Sequence, residues 1–426
     1  MEQLVEQGVK LLHSSYIFSN DEVEILRGLA HKVAEIAATS EMKRKAVLWQ
    51  KHNDLETDEP VVFIDPENGW DEIIRPQDLK CQDPLAKSWE KELKKLIYWA
   101  EELKDDKVIE PYFDVPYSYW DTGWGIDICR IGEGDGTAYT VKSAIEDYEE
   151  DFEKLHHPEI VIDWKESEII MELAEKIFGD ILTVRRKQTW WWSLGMSRDY
   201  IDLRSLESFM CDFLLEPEWV ERMFSLLCRG KLSMLDFLEK NNLLSQNTCG
   251  TYVGSGGLGF TNQIAQKAQE EQILTSDMWG FCESQETISV NPELYGEFIF
   301  PHHKKILDRF ALNCYGCCEP FNPRWKYIQQ FPRLRRVSVS PWADWSVVPE
   351  WLGKNYIASV KPTPTSLAMP SLSEDIVRTD CRRAVEETKG GICEFIMKDN
   401  NTLGNNPYNA IRWVEIMREE ITKVYG

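Results

Sequence analysis

From Leu182 onward, short apolar runs and amphipathic helical patterns take turns along the chain. The runs are LTVRRKQTWWW, TYVGSG, TSDMWGFCES, FALNCYGCC, LRRVSVSP, NYIASVKP and GICEFIMKD, with patterns such as NPELYGEFIFPHHKKILDRF and SEDIVRTDCRRAVEETKG between them. Strand and helix in strict succession impose right-handed crossovers and therefore a parallel sheet. Seven strands can be counted from Leu182, and IDICRI at 126–131 supplies an eighth. Eight strands over about 300 residues suit an α/β fold closed as a (β/α)8 TIM barrel, here spanning 111–426. Residues 1–110 read differently. DEVEILRGLAHKVAEIAATS and SWEKELKKLIYWAEELKDD return apolar residues every three or four positions, and one short strand, in PVVFIDPENGW, lies between them. This stretch is expected to be a mainly helical N-terminal elaboration packed on the barrel.

Composition removes several classes of function. The 72 Asp+Glu exceed the 48 Lys+Arg and leave a net charge of −24, which argues against nucleic acid, whose phosphates need a concentrated basic face. No run of about 18 apolar residues occurs, so no membrane span is expected. The opening MEQLVEQGVKLLHSSY lacks the basic and apolar regions of an export signal. Eleven cysteines, an odd count without framework spacing, fit reduced thiols. A cytoplasmic enzyme is the expectation.

In a barrel of this kind, reactive residues sit at the C-terminal ends of the strands. Attention therefore falls on 254–259, 283–286, 314–319, 338–344, 359–362 and 394–401. Gly254-Ser-Gly-Gly-Leu-Gly259 matches the dinucleotide GxGxxG, but it lies in mid-barrel instead of opening a first βαβ unit, and reads as a flexible βα loop. In Asn313-Cys-Tyr-Gly-Cys-Cys-Glu-Pro, Cys314 and Cys317 form a CxxC. A redox pair would open a helix, whereas Glu319 and Pro320 follow here, and a four-cysteine zinc would need a second CxxC. Two readings stay open: a mixed-ligand site completed from other strand ends, or buried inert thiols. A strand persisting through 317 would put Cys317 and Glu319 on one face, with Cys314 and Cys318 on the other. Along CEFIMKD, alternation groups Glu394, Ile396 and Lys398 apart from Cys393, Phe395, Met397 and Asp399. Carboxylates such as Glu283 in a dry cleft can bind metal or serve as proton donors with a raised pKa. His156, His157, His302 and His303 show no HExxH spacing and read as structural or surface residues. No GxSxG elbow supports a serine nucleophile.

Taken in order, WGFCESQE, NCYGCCEP, LRRVSVSPWAD, YIASVKPTP and GGICEFIMKDNNTLGNNPYNAIRWVEIMREE resemble the uroporphyrinogen decarboxylase superfamily over roughly 110–426. Within it they look like the corrinoid-dependent methyltransferase branch, because the GRY-type motif of the decarboxylase proper is not found. In relatives that methylate coenzyme M, a His-x-Cys and a late Cys hold zinc. Tyr315-Gly-Cys317 falls on the first of these and Asp399 near the second, so the resemblance implies a zinc or similar divalent-metal shell of Cys317, Glu283, Glu319 and Asp399, with Glu394 or Asn401 as further donors. Such an oxygen-rich shell is a stronger Lewis acid than a thiolate-rich one and suits an ether. The implied activity is that of an O-demethylase methyltransferase, moving a methyl group from a methoxylated aromatic to the Co(I) corrinoid of a separate carrier protein, since no DxHxxG cobalamin signature is present. Glu283, Glu319, Lys398 and Asp399 would be its catalytic residues. Trp120, Trp191, Tyr315 and Trp342 would form the aromatic substrate pocket. The resemblance leaves room for a homodimer. Alternatives are a decarboxylase using Arg185, Arg186, Arg335 and Arg336 at the barrel mouth, a methylcobamide:thiol methyltransferase, and a barrel kept as a binding scaffold.

Overall fold

The computed structural model describes residues 16–132, 140–268 and 271–426. Eight strands pair in parallel: β1 (Val61–Ile64), β2 (Tyr112–Val115), β3 (Thr183–Arg186), β4 (Trp279–Cys282), β5 (Leu312–Tyr315), β6 (Leu334–Val339), β7 (Ile357–Val360) and β8 (Ile392–Met397). Six of them form one sheet in the order β1-β8-β7-β6-β5-β4, while β2 and β3 form a ladder of their own. Every residue of β1, β4, β5, β7 and β8 is buried, as expected of parallel strands covered on both faces. This is why they read as continuous apolar runs. Helices α1 (Asn20–Ala37), α2 (Ser40–Asn53), α3 (Pro84–Tyr98), α4 (Trp164–Phe178), α5 (Pro217–Lys240), α6 (Glu374–Thr388) and α7 (Tyr408–Tyr425) surround the strands. Their starts are legible: Ser19 and Glu22 form a capping box on α1, Thr39 caps α2 and Asp83 caps α3.

Several expectations need correction. Val61–Ile64, assigned to the N-terminal elaboration, pairs with β8 from Val61↔Glu394 to Ile64↔Met397 and is integral to the sheet. Cys129–Ile131, taken as an eighth barrel strand, instead forms an exposed antiparallel ribbon with Thr140–Lys142. The Gly-rich stretch is no flexible βα loop, because Tyr252–Val253 and Gly257–Leu258 close a buried antiparallel hairpin. The described residues 261–268 that follow it form no helix.

The sheet is not closed into a ring. Among the described residues no ladder joins β1 to β2 or β3 to β4. Both open edges are nonetheless satisfied. Asp106 accepts from the Val62 N–H at 2.8 Å and Asp105 from the Ile64 N–H at 2.9 Å. At β4, the Asn247 side chain exchanges two hydrogen bonds with the Trp279 backbone, and the Leu194 N–H donates to Phe281 O. Covered edges of this kind remove the template for pairing with another chain.

The hairpin packs on β5, β6 and β8, and its glycines make this approach possible. At Gly254 (φ +65°) a Cβ would meet Cys314 Cβ at 2.8 Å, and at Gly257 it would lie 2.4 Å from the Arg336 guanidinium carbon. Beneath it, Arg336 Nε pairs with Glu394 at 2.9 Å, and Arg336 Nη2 donates to Asn53 Oδ1 at 2.6 Å. His52 lies within 3.4 Å of Glu394, and all three side chains are buried. Among the described residues, no helix is long and apolar enough to cross a membrane.

Candidate active site

The strand ends assemble a buried polar cluster from β4, β5, β8 and the hairpin. At the end of β4, Glu283 is 1% exposed, and its Oε2 accepts the Gln285 N–H at 2.9 Å. Burial is the main reason its pKa stands well above the usual carboxylate range, and repulsion from Glu286 and Glu319 adds to it. Gly195 sits so close that a Cβ there would lie 2.3 Å from Glu283 O. This packs the loop after β3 onto the acid.

Glu319 is positioned by main chain. Its Oε1 accepts the Ser284 N–H at 2.8 Å and its Oε2 the Cys317 N–H at 2.9 Å. Burial raises its pKa, opposed by those amides and by Arg324. The side chain thus ties the β4 loop to the β5 loop, and both of its oxygens are already engaged.

β5 ends at Tyr315, and Gly316 at φ +90° breaks the alternation expected through 317. Cys314 and Cys317 consequently both face the hairpin. Ser255 Oγ donates to Cys317 Sγ at 3.2 Å, while Arg336 Nη1 reaches Cys314 Sγ at 3.6 Å. Lys398 Nζ, at the end of β8, lies 3.7 Å from Cys317 Sγ, 3.3 Å from Ser255 Oγ and 3.1 Å from Asp399 Oδ1. The Cys318 thiol, 3.6 Å away, is the largest influence holding the Cys317 pKa below its ordinary value; Lys398 and Ser255 assist against burial. For Lys398, burial works against the charge, but Tyr252, Cys317, Asp399 and Glu67 outweigh it and raise the pKa. The arrangement favours a thiolate–ammonium pair.

The expected metal shell does not come together. Among the described residues, no group of three His, Cys, Asp or Glu side chains is placed to hold a metal ion. Glu319 spends both oxygens on backbone amides, an ammonium stands beside Cys317, and Asp399 turns toward Cys318 and Lys398. Glu394, the further donor, is bound to Arg336 in the sheet interior. These residues do not fit a zinc site. Purified protein is accordingly expected to carry well under one equivalent of zinc by elemental analysis. A full equivalent that disappears in Cys317→Ala would restore the ligand assignment.

The expected aromatic pocket also disperses. Tyr315 is buried, stacks on Phe331 at 4.6 Å and accepts a hydrogen bond from Tyr295, so alternation has turned it away from the hairpin. Trp120 lies opposite Val161 on an exposed antiparallel strand. Trp191 meets Phe310 edge-on, and Trp342 is 74% exposed after β6. It is Trp192 that lies under the Lys398 ammonium, 5.5 Å from its ring centre. The four arginines of the decarboxylase reading are separately engaged: Arg185 with Asp114, Arg186 with the carbonyls of Pro116 and Ser167, Arg335 with Asn53 O and Gln263, and Arg336 with Glu394. His303 is buried with its pKa lowered to about 3 by desolvation, as suits a structural histidine.

Sequence reasoning missed Glu67 and reached Lys361 only as part of the strand end 359–362, without a role. Glu67 follows β1, and its pKa is raised to about 7 by burial despite Lys398. Recognising VVFI as a sheet strand would have exposed it. Lys361 follows β7 and donates to Ser359 O and Oγ, both at 3.0 Å; burial, then repulsion from Lys398, lowers its pKa to about 8.

Compared with family models and with curated proteins, the chain matches none. Among solved structures it is similar to a methyltransferase from Methanosarcina mazei, over 71% of this chain and 77% of that one, at 12% identity and a TM-score of 0.41. A likeness that distant bears on neither fold nor activity.

Proposed function

We propose that this chain is a methyltransferase moving a methyl group from a methyl ether, with a methoxylated aromatic as donor, to the Co(I) corrinoid of a separate carrier protein. The eight parallel strands are read as a (β/α)8 barrel opened between β1 and β2 and between β3 and β4, the second gap being lined by the Trp190–Trp192 segment. The observation that carries the reading is the buried carboxyl pair at neighbouring strand ends, Glu283 beside Glu319, where burial first and then repulsion from Glu286 and Glu319 raise the Glu283 pKa and so favour its protonated form. The order and spacing of the strand-end motifs support it from the sequence side.

The chemistry needs an acid. When the methyl carbon leaves the ether oxygen for the acceptor, the bonding electron pair stays on oxygen, and a phenoxide with a conjugate-acid pKa of about 10 is a poor leaving group. Glu283 would give its proton to that oxygen, so that a neutral phenol departs and a carboxylate remains. Each unit of effective leaving-group pKa is worth about 1.4 kcal/mol when fully expressed in the transition state. Glu319 would hold Glu283 and Cys317 in register through the two loops it joins. Lys398, fixed by Cys317, Ser255 and Asp399, would orient the donor.

An anaerobic absorbance assay with Co(I) corrinoid and a panel of methoxylated aromatics tests the reading. Loss of the Co(I) band that depends on both enzyme and donor is expected. A silent spectrum across the panel, or direct decarboxylation of a porphyrinogen, would overturn it.

A further inference from the structure

Where the β2–β3 ladder stands apart from the main sheet, two cavities of about 510 and 650 Å³ open, and Tyr112, Tyr117, Arg185 and Lys187 line both. Either volume falls within the roughly 300–1,000 Å³ of ordinary small-molecule sites. The sequence offered Arg185 only as part of a mouth cluster that does not form, and the methyl-transfer reading uses none of these residues.

The charges there do not balance. Asp114 faces two cations: its Oδ1 accepts Arg185 Nε at 2.5 Å, and its Oδ2 lies 3.3 Å from Arg185 Nη2 and 3.4 Å from Lys187 Nζ. Burial would raise the Asp114 pKa, but Arg185 and Lys187 outweigh it and keep the carboxylate ionised. One anion against two cations leaves an excess of one positive charge. The other acids of the smaller cavity are already engaged. Glu92 pairs with Lys95 at 2.7 Å, and Glu110 accepts the Gly250 N–H at 2.9 Å with buried Lys107 as a further neighbour. The bonds to Asp114 use Nε and Nη2 of Arg185, and among the described residues none is made by Nη1, whereas Lys187 Nζ also donates to Thr251 Oγ1 and lies 3.4 Å from Cys249 Sγ.

The walls are flat and apolar. The Arg185 guanidinium lies 3.8 Å from the Tyr112 ring centre, which fixes its plane. Across the smaller cavity, α3 contributes Leu85, Trp89 and Leu93. A ligand matched to this cleft carries one negative charge on a planar apolar body.

We infer that the cleft between α3 and the β2–β3 ladder is a binding site for a small aromatic monocarboxylate, bonded by Arg185 Nη1 against the Tyr112 ring, with the Lys187 ammonium contributing its charge. This inference stands without the methyl-transfer reading, because it concerns binding alone.

Calorimetry of the full-length protein with benzoate as probe, and benzamide as its neutral counterpart, tests it. One benzoate site is expected, with benzamide weaker by about 10-fold or more, the scale of a lost charge-assisted hydrogen bond. Arg185→Gln and Lys187→Met should each weaken benzoate by a similar factor. Ser88→Trp, on the exposed lip of α3, should block the cavity while leaving the charges in place, which keeps the test available if Arg185→Gln fails to fold. No benzoate binding at millimolar concentration, equal binding of benzamide, or binding indifferent to both Lys187→Met and Ser88→Trp would each overturn the assignment.

Discussion

Glu283→Gln is expected to slow methyl transfer by about 10²–10⁴-fold with little change in KM for the donor, the signature of a proton supplied only in the transition state. Glutamine keeps the shape and one acceptor for the Gln285 N–H but has no proton to give. The pH profile separates this role from a structural one. Wild-type kcat should fall as pH rises through the elevated Glu283 pKa, since the protonated form is the active one, whereas the residual rate of the variant should be flat there. Stability follows the same group. Its folded pKa lies above its unfolded value, so the folded state binds more protons and wild-type stability declines as pH rises between the two. Glu283→Gln should lose that decline and melt above wild type at alkaline pH. A variant with normal kcat would remove Glu283 from the chemistry.

Arg336→Met is expected to cost about 3–5 kcal/mol of stability, the scale of leaving a buried charge without its partner. Glu394 is fully buried among Arg336, His52 and the hairpin, and Arg336 also holds Asn53 at the end of α2. Burial would push the Glu394 pKa up, yet Arg336 and His52 together hold it at about 2. A carboxylate with a depressed folded pKa adds stability above its unfolded value of 4.5, which is lost as pH falls from there toward about 2. Denaturant titrations should show that acid-side loss in wild type and not in the variant. The double variant Arg336→Met/Glu394→Leu should regain most of the stability, because well-packed apolar side chains replace buried ion pairs at little net cost. A single-variant loss below about 1 kcal/mol would mean that water reaches the pair.

Much of the sheet was legible because strands buried on both faces leave uninterrupted apolar runs, and β4 to β8 were read that way. Alternation also put Glu394, Ile396 and Lys398 on one side of β8, where they do face Arg336 and the hairpin. β1 was read as a strand but left outside the sheet, because its four residues sit among amphipathic helices and its partner lies far along the chain. The hairpin was misread because GSGG looks like a mobile loop, whereas each glycine is a place where Cys314, Ile396 or Arg336 needs the room a side chain would take. Alternation failed at Gly316, whose left-handed backbone resets the facing of Cys317. Spacing also cannot show that Glu319 serves two backbone amides or that an ammonium stands beside Cys317. Those are facts of three-dimensional neighbourhood.

The union of β1 with β8 has a consequence for how the molecule comes into being. The paired residues Val61 and Glu394 stand about 330 positions apart, so β1 has no mate until the chain has been synthesised through β8. During that wait, the carboxylates of Asp105 and Asp106, only some 40 residues downstream, are the first groups able to occupy one of its borders. A nascent chain is thereby given a local chaperone of its own making, and removing those two acids should show first in the yield of folded protein.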